Sequence, residues 1–286
     1  MYIPKDGQGM PRIKIYLSEL PGMIPNTWLD NIASNDDASR MIESLFGTNA
    51  FFNYSKPIEL ISYLLKLGSD KNSIILDFFS GSSSTAHAVM QLNAEDGGNR
   101  KFIMVQLPEL TDEKSEAYKA GYKNICEIGK ERIRRAGAKI KADSPLTTQN
   151  LDTGFRVLKL DSSNMKDVFY SPKETSQLEL FTLVDNVKDD RTSKDLLFQV
   201  MLELGATLDS KIEESKVDGK TIYNVGDGYL VACFDQDVSD DAVKAIAKMQ
   251  PTYAVLRDTG MADDATATNF EQIFKTYSPN TTARIL

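Results

Sequence analysis

Residues 74–85 have the sequence Ile-Ile-Leu-Asp-Phe-Phe-Ser-Gly-Ser-Ser-Ser-Thr, an apolar run that passes through one acidic residue into a turn of small residues. Residues 74–79 predict a strand covered on both faces, because almost every side chain is apolar. The glycine and serines that follow allow the backbone to bend sharply before a helix begins near Thr85. In open parallel sheets, ligands bind beyond the carboxyl ends of the strands. This stretch therefore indicates an α/β sheet with a ligand site at residues 77–85.

Helices and strands alternate along the chain on both sides of this stretch. Patterns of apolar side chains predict helices over residues 57–67, 85–92 and 112–135, and further strands over residues 102–107 and 155–160. Such alternation is typical of a parallel sheet with crossover helices. The sequence therefore predicts an α/β fold for residues 55–175.

The character of the sequence changes outside residues 55–175. Residues 1–54 mix Pro, Gly, Asn and Asp with little periodicity, so we interpret them as the end of a preceding region. Residues 176–286 combine helix starts at Thr192, Ser239 and Thr268 with short strands over 221–225, 229–234 and 253–256. This mixture predicts a small, separate α+β domain at the C-terminal end.

The composition limits the classes of function. The formal net charge is −8, whereas a protein that binds nucleic acid through phosphate contacts needs a basic surface. No apolar stretch is long enough to span a membrane, and residues 1–20 lack the apolar core of a secretory signal. Two distant cysteines and one histidine indicate neither a disulfide framework nor a metal site. We expect a cytoplasmic protein without a membrane or metal partner, and any DNA contacts lie mostly elsewhere.

A dense group of basic residues lies late in the long helix predicted over residues 112–135 and just beyond it. The group comprises Lys130, Arg132, Arg134, Arg135, Lys139 and Lys141. Cations near the C-terminal end of a helix complement its dipole, which predicts a solvated helix face. A face that contacts DNA phosphates is the alternative.

Other conspicuous side chains have structural explanations. We expect His87 to pack within its helix rather than act as a base. We expect Trp28 to anchor the core, with stacking on a flipped base as the alternative. Cys126 and Cys233 are expected to be buried small hydrophobes, and residues 263–264, two aspartates, to lie in a solvated loop.

The turn after the first strand allows two explanations from its residues alone. Asp77 can accept a hydrogen bond from an ammonium or hydroxyl group of a ligand. The sequence contains neither GxxxxGK[ST] nor GxGxxG, so a nucleoside triphosphate or dinucleotide lacks its usual phosphate-binding loop. The other explanation is a serine-rich turn whose hydroxyls only cap the following helix. The spacing alone supports the two explanations equally.

Residues 77–88, Asp-Phe-Phe-x-Gly-Ser-x-x-Thr-Ala-His-Ala, resemble the S-adenosylmethionine motif of beta-class DNA amino-methyltransferases, in particular the modification subunits of type III restriction systems. In that family a helix introduced by a Lys-Pro pair precedes the cofactor strand, as residues 52–60 do here. Further segments that resemble the family are residues 105–109, 130–135, 154–161, 226–228 and 257–260. The resemblance covers nearly the whole chain.

The resemblance implies a partial Rossmann-like S-adenosylmethionine-dependent methyltransferase sheet, followed by a small α+β C-terminal domain. It implies that Asp77 and the backbone around Phe79 and Gly81 meet the methionine part of the cofactor. Lys56 and Pro57 would line the same pocket. The cofactor-binding residues predicted in this way are Lys56, Pro57, Asp77, Phe78, Phe79, Ser80, Gly81, Ser82, Thr85 and Gln106.

Two residues depart from the family pattern. The second strand of the family usually ends in an acid that holds the ribose hydroxyls, whereas Gln106 stands near that point here, with Glu109 just beyond. An amide can still hydrogen-bond hydroxyls, so we rank Gln106 above Glu109 for this role. Ser83 stands where a glycine is more usual, which restricts the backbone conformations of the turn.

A larger departure is a missing motif. The family binds the flipped target base with Asp-Pro-Pro-Tyr, and the base must leave the duplex for its amino nitrogen to be reached. The 286 residues contain no Pro-Pro pair. In the family this motif lies in the N-terminal half, and residues 1–54 would be the last remnant of the target-recognition region. We therefore predict no catalytic residue in this chain, which alone would neither methylate nor read a DNA sequence.

The resemblance also implies partners. DNA would be contacted through the missing half, and a restriction subunit is a possible partner. Type III modification subunits act as dimers, so residues 176–286 are expected to serve subunit association. A cofactor strand without its neighbour exposes an apolar edge, which predicts a homo-oligomer or a complementing N-terminal polypeptide.

Two other functions remain open at this point. The chain could be a noncatalytic S-adenosylmethionine-binding or dimerisation fragment of a truncated gene. A dinucleotide-binding protein similar to a dehydrogenase would instead bind NADH.

Overall fold

The computed structural model describes residues 25, 28–29, 31–166, 186–257 and 264–286, except the side chains of residues 264–268. Most of residues 1–30, and parts of the predicted regions at residues 167–185 and 258–263, lie outside the described residues. The chain divides into unit 1, Met1–Phe155, and unit 2, Arg156–Leu286. Both units combine helices and strands, so the predicted mixed α/β class is confirmed. No helix in the described part of the chain could cross a membrane.

Unit 1 alternates helices with two short strands. Its elements are α1 (Asn35–Phe46), α2 (Ile58–Gly68), β1 (Ile74–Asp77), α3 (Ser84–Asp96), β2 (Lys101–Met104), α4 (Glu116–Lys119) and α5 (Ile125–Asp143). β1 and β2 pair in parallel, with Ile74 opposite Lys101 and Asp77 opposite Met104. The order helix, strand, helix, strand predicted for residues 57–107 is therefore confirmed, and the turn after Asp77 lies at the carboxyl end of its strand.

Two elements predicted after β2 are wrong. The single helix over residues 112–135 is interrupted, because Gly121 has a φ of +98° and the Asn124 side chain then caps α5 by accepting from the Glu127 amide. Residues 155–160 form no strand. The Arg156 guanidinium donates instead to main-chain carbonyls of unit 2, those of Leu208 and Ser210.

The hydrophobic core of unit 1 lies on one side of its sheet. Side chains of α1, α3 and α5, including Ile42, Met90 and Ile128, pack there with partly buried side chains of β2. Successive side chains of a strand point to opposite faces, and the other face carries Ile74 and Leu76, which are 62% and 58% exposed. The prediction that β1 is covered on both faces is thus wrong for the described chain. β1 pairs only with β2 among the described strands.

Unit 2 is built on a five-stranded sheet. Its elements are α6 (Ser193–Glu203), β3 (Ile212–Val217), β4 (Lys220–Val225), β5 (Leu230–Cys233), α7 (Asp240–Lys248), β6 (Tyr253–Leu256), α8 (Asp264–Tyr277) and β7 (Thr282–Ile285). The strands lie in chain order. β3, β4 and β5 are antiparallel neighbours, whereas β5, β6 and β7 pair in parallel. Two hydrophobic clusters cover the two faces of this sheet, one with α7 and α8 and the other with α6.

The helix starts of unit 2 were predicted from capping residues. Thr192 and Ser239 cap α6 and α7 through side-chain oxygens that accept main-chain N–H bonds, so both predictions are confirmed. The start predicted at Thr268 is wrong, because α8 already begins at Asp264.

The strands β3 and β7 were not predicted. β3 has the sequence Ile-Glu-Glu-Ser-Lys-Val and lies at the edge of the sheet. Edge strands often carry charged side chains, and those of β3 leave no alternation of apolar and polar residues to read.

Four of the single-residue predictions are tested by burial. His87 and Cys233 are buried, as predicted, whereas Trp28 is 78% exposed and does not anchor the described core. Cys126 is only partly buried, and its thiol lies 3.4 Å from the Gln106 carbonyl oxygen. Of the expected aspartate loop, residue 263 lies outside the described residues, and the helix α8 begins at the next one.

Candidate functional site

Asp77 ends β1, and its carboxylate holds the following turn together. Oδ1 accepts the Phe79 amide at 3.1 Å, and Oδ2 accepts the Thr85 hydroxyl at 2.6 Å. Each carboxylate oxygen can accept two hydrogen bonds. The partly exposed carboxylate therefore fixes both ends of the turn and keeps the capacity to accept from a ligand.

The backbone of the turn is compact and partly left-handed. The Ser80 amide donates to the Val105 carbonyl, and the Ser83 amide donates to the Ser80 carbonyl at 2.6 Å. Gly81 and Ser83 have φ angles of +50° and +61°. A serine pays about 1 kcal/mol for this conformation, so the surrounding contacts must hold Ser83 there. A Cβ at Gly81 would lie 3.3 Å from the Phe52 ring, a close approach that glycine permits.

Gln106, two residues beyond the end of β2, closes the turn. Its Oε1 accepts the Gly81 amide at 2.7 Å, and its Nε2 donates to the Leu107 carbonyl at 3.2 Å. Glu109, the other candidate for the ribose, is exposed. The role of either residue at a ribose stays a prediction. Gln106 would have to share or release the Gly81 amide to take it.

The segment before α2 lies against the same turn. Pro57 is the N-cap residue of α2 and is buried, whereas Lys56 is exposed. Ser55, which was not predicted, is buried, and its hydroxyl lies 3.3 Å from that of Ser82. The structure thus brings Pro57 and the turn together through Ser55. The Lys56 carbonyl accepts from the Ser55 hydroxyl at 3.5 Å, and its side chain has no hydrogen-bond partner in the described part of the chain.

The tip of the turn is apolar and faces solvent. Phe78 and Phe79 are 61% and 79% exposed, with ring centroids 5.2 Å apart. Two exposed aromatic rings beside a polar turn are unusual for a surface without a partner.

A cavity of about 270 Å³ lies beside the turn. Its lining residues are Ala50, Phe51, Phe52, Asn53, Tyr54, Leu110, Thr111, Asp112, Ser115, Ala117, Ile125 and Ile128. The ring of Phe52 belongs to this lining and also approaches Gly81. The cavity and the turn therefore share a wall.

Arg132 joins the turn to the segment before α2. The prediction that this residue lies on a solvated face is wrong. Its side chain is fully buried, and Nη1 donates to the hydroxyls of Ser55, Ser82 and Ser84 at 2.7, 2.8 and 3.1 Å. Burial lowers the pKa of Arg132 to about 10, so the side chain stays charged at neutral pH. The spacing of the sequence could have indicated that Arg132 is buried. Arg132 lies four residues from both Ile128 and Ala136, which are buried on the same face of the helix.

Arg134, Lys139 and Lys141 fit the predicted solvated face of α5, whereas Lys130 and Arg135 are partly buried. Lys130, Arg134, Arg135 and Lys139 pair with acids of their own helix, at Glu127, Glu131 and Asp143. Lys141 is exposed. Ion pairs that water reaches in this way contribute little to stability.

His87 lies behind the turn, in α3. Burial lowers the pKa of His87 to about 3, with smaller contributions from the charges of Arg132 and Lys139. The imidazole is therefore neutral at physiological pH, which fits its predicted role in packing.

Comparisons with known proteins give the family of the chain. Residues 14–136 match the family described as DNA methylase, and this range includes every predicted cofactor-binding residue. Together with the relatives described next, this match places the chain in the DNA methylase family.

Particular relatives narrow the assignment. The chain is 44% identical over 156 residues to the type III restriction-modification enzyme StyLTI Mod subunit of Salmonella typhimurium, covering 54% of this chain and 24% of the relative. It is 32% identical over 249 residues to the EcoPI Mod subunit of Escherichia phage P1, covering 85% and 36%. It is 35% identical over 200 residues to the EcoP15I Mod subunit of Escherichia coli, covering 68% and 28%.

The predicted family is thereby confirmed. Within the DNA methylases, this chain belongs with the modification subunits of type III restriction-modification enzymes. It spans between about a quarter and a little over a third of the length of these relatives.

Proposed function

We propose that this chain is the S-adenosylmethionine-binding portion of a site-specific DNA adenine methyltransferase of the type III modification kind. The observation that carries the proposal is the turn from Asp77 to Thr85 at the carboxyl end of β1, inside the range that matches the DNA methylase family. S-adenosylmethionine, when bound, supplies the methyl group for the adenine exocyclic amino group. In this proposal the chain's residues bind and orient that cofactor.

The residues of the turn fit the methionine part of this cofactor. Asp77 keeps free acceptor capacity for an ammonium group. The small residues at Gly81 and Ser82 let a ligand approach the main chain closely. We propose that Asp77, the backbone of Phe78, Phe79, Ser80, Gly81 and Ser82, and Thr85 form this part of the site.

The remaining predicted residues complete the proposed pocket. Lys56 and Pro57 would line it from the segment before α2. Gln106 would face the ribose, with Glu109 as the alternative. The cavity of about 270 Å³ shares the Phe52 wall with the turn and offers space for the adenine ring.

We propose a corresponding arrangement of domains. Residues 55–175 would form part of a Rossmann-like methyltransferase sheet, and residues 1–54 the end of the target-recognition region. Residues 176–286 would be an α+β domain that serves subunit association. The antiparallel and parallel strand pairs of unit 2, covered on both faces, support an independently packed domain there.

Methyl transfer would require a further polypeptide portion. The 286 residues contain no Asp-Pro-Pro-Tyr motif to hold a flipped adenine. The side chains of Ile74 and Leu76 in β1 are exposed, which supports the proposal that this further portion covers that face of the sheet. DNA, a second copy of the subunit and a restriction subunit would be partners of the complete protein.

Binding is tested by calorimetry with the purified chain. We expect S-adenosylmethionine to bind, NADH not to bind, and Asp77→Asn to weaken binding about tenfold, because asparagine can keep the bond to the Phe79 amide but loses the charge. Asp70→Asn is the matched control, since Asp70 is an exposed aspartate before β1. Binding of NADH in place of S-adenosylmethionine would contradict the proposal.

Activity is tested by supplying the missing portion. A polypeptide that carries Asp-Pro-Pro-Tyr and the remaining length of a type III modification subunit is mixed with the chain, and transfer of a labelled methyl group to DNA is measured. We expect transfer from the mixture and none from the chain alone. Cofactor binding without transfer in the mixture would favour the noncatalytic fragment instead.

A further inference from the structure

Arg132 carries a positive charge into the interior of unit 1. It is fully buried, and in the described part of the chain it pairs with no carboxylate. Only Nη1 is bound, by three serine hydroxyls, whereas Nε and Nη2 have no hydrogen-bond partner there. This is an expensive arrangement for a side chain that only fills space.

Packing does not explain the charge. The charge of Glu59 favours the charged form of Arg132, but Glu59 forms no salt bridge with it. Most of the cost of burying the cation therefore remains, and an apolar side chain of similar volume avoids that cost. A methionine at position 132 would fill the same space between Ile128 and Ala136. We therefore look for the role of Arg132 in the three hydroxyls that its Nη1 binds.

The three serines belong to the two segments that line the candidate site. Ser55 directly precedes Lys56, whereas Ser82 directly follows Gly81 in the turn and Ser84 is the first residue of α3. In the sequence, Ser55 is 27 residues from Ser82 and 29 residues from Ser84. The two N–H groups of Nη1 are shared among the three oxygens. They hold the three hydroxyls together and fix the two segments relative to each other and to α5.

The main chain of α5 also approaches the turn closely, one helical turn before Arg132. A Cβ at Gly129 would lie 2.6 Å from the Ser83 hydroxyl oxygen and 3.4 Å from the Gly81 carbonyl oxygen. The glycine thus lets α5 support the left-handed residues Gly81 and Ser83 from behind. Arg132 and Gly129 contact the same side of the turn.

We propose that Arg132 is a positioning residue of the cofactor site. It holds the turn around Ser82 and the segment at Ser55 in the arrangement that the amino-acid part of S-adenosylmethionine requires. This inference rests on the proposed function and deepens it, because it assigns recognition of that part of the cofactor to a buried network. Arg132 does not contact the cofactor and acts through the serines.

The test compares two ligands that differ only in the part concerned. S-adenosylhomocysteine carries the amino-acid part, and 5′-methylthioadenosine lacks it. In calorimetry with the full chain, we expect Arg132→Met to weaken binding of S-adenosylhomocysteine about tenfold and that of 5′-methylthioadenosine less than about twofold. A general loss of structure would weaken both ligands alike.

Three further variants sharpen the result. Arg132→Lys keeps a charged donor and should restore part of the lost affinity for S-adenosylhomocysteine. Ser82→Ala removes one acceptor and should reproduce part of the loss without burying a new group. Arg134→Met, at an exposed position of the same helix, is the control and should leave both affinities unchanged.

The outcomes separate the two proposals. If the wild-type chain binds neither ligand, the proposed function fails and this inference fails with it. If the wild-type chain binds both and Arg132→Met binds S-adenosylhomocysteine normally, or loses both equally, only the positioning role is overturned. If Arg132→Met does not fold, Ser55→Ala and Ser82→Ala decide, and unchanged affinities in both would overturn the inference.

Discussion

The sheets of the two units differ in how completely they are enclosed. In unit 2 every residue of the central strand β5 is fully buried, and its side chains alternate between two hydrophobic clusters. In unit 1 the corresponding apolar strand β1 buries one face and exposes Ile74 and Leu76 on the other. The same kind of sequence, a short run of aliphatic residues, thus has different energetic consequences in the two units, and substitutions can measure that difference.

The largest expected effect contrasts two leucines. Leu230→Ala in β5 removes a side chain with no exposed surface, so we expect the free energy of unfolding to fall by about 2–5 kcal/mol. Leu76→Ala in β1 removes a side chain that is 58% exposed, so we expect a loss below about 1 kcal/mol. Urea unfolding followed by circular dichroism measures both. Equal losses would show that the exposed face of β1 is covered in solution.

The contrast between these strands also shows what local sequence can predict. The positions of α2, β1, α3 and β2 follow from short-range periodicity, and the structure contains all four near the predicted bounds. Periodicity could not tell that one face of β1 lacks cover, because cover depends on other parts of the chain. The break between α4 and α5 was readable, since Gly121 is followed by Asn124 at the N-cap of α5.

The candidate site divides in the same way. The turn residues from Asp77 to Thr85 are neighbours in sequence, so their common location could be predicted. Ser55 and Arg132 are 77 residues apart and meet only in the folded chain. Composition suggested a solvated basic face for Arg132, because a cation is rarely buried without a carboxylate. Which residues meet the cofactor stays a prediction until binding is measured.

A second prediction uses the single histidine of the chain, which lies in unit 1. Burial lowers the pKa of His87 to about 3 in the folded state, below its ordinary value of 6.5. Between these values the unfolded chain binds a proton that the folded chain does not, so stability falls as the pH falls below about 6.5. From pH 7 to pH 5.5 we expect unit 1 to lose about 1 kcal/mol from this residue.

Amide hydrogen exchange at the two pH values, corrected for intrinsic rates, assigns this loss to a unit. Peptides from α3 should lose protection at pH 5.5, whereas those from β5 should change little, because unit 2 contains no histidine. His87→Leu should remove most of the pH dependence of α3. The same pH dependence in that variant would mean that another group of unit 1 causes it.

Two helix caps of the same design, one in each unit, should give effects of about the same size as that of His87. Ser34 at α1 and Thr192 at α6 each accept the amide of the third helical residue, and the aspartates at those positions, Asp37 and Asp195, accept the cap amides in return. Because each cap satisfies main-chain donors at a helix start, Ser34→Ala and Thr192→Ala should each cost about 1 kcal/mol. Urea unfolding measures the cost, and hydrogen exchange locates it.

The loss of stability should stay within the unit that carries the substitution, because each helix packs into its own hydrophobic cluster. A loss of protection in both units from either substitution would show that the two cores are energetically coupled.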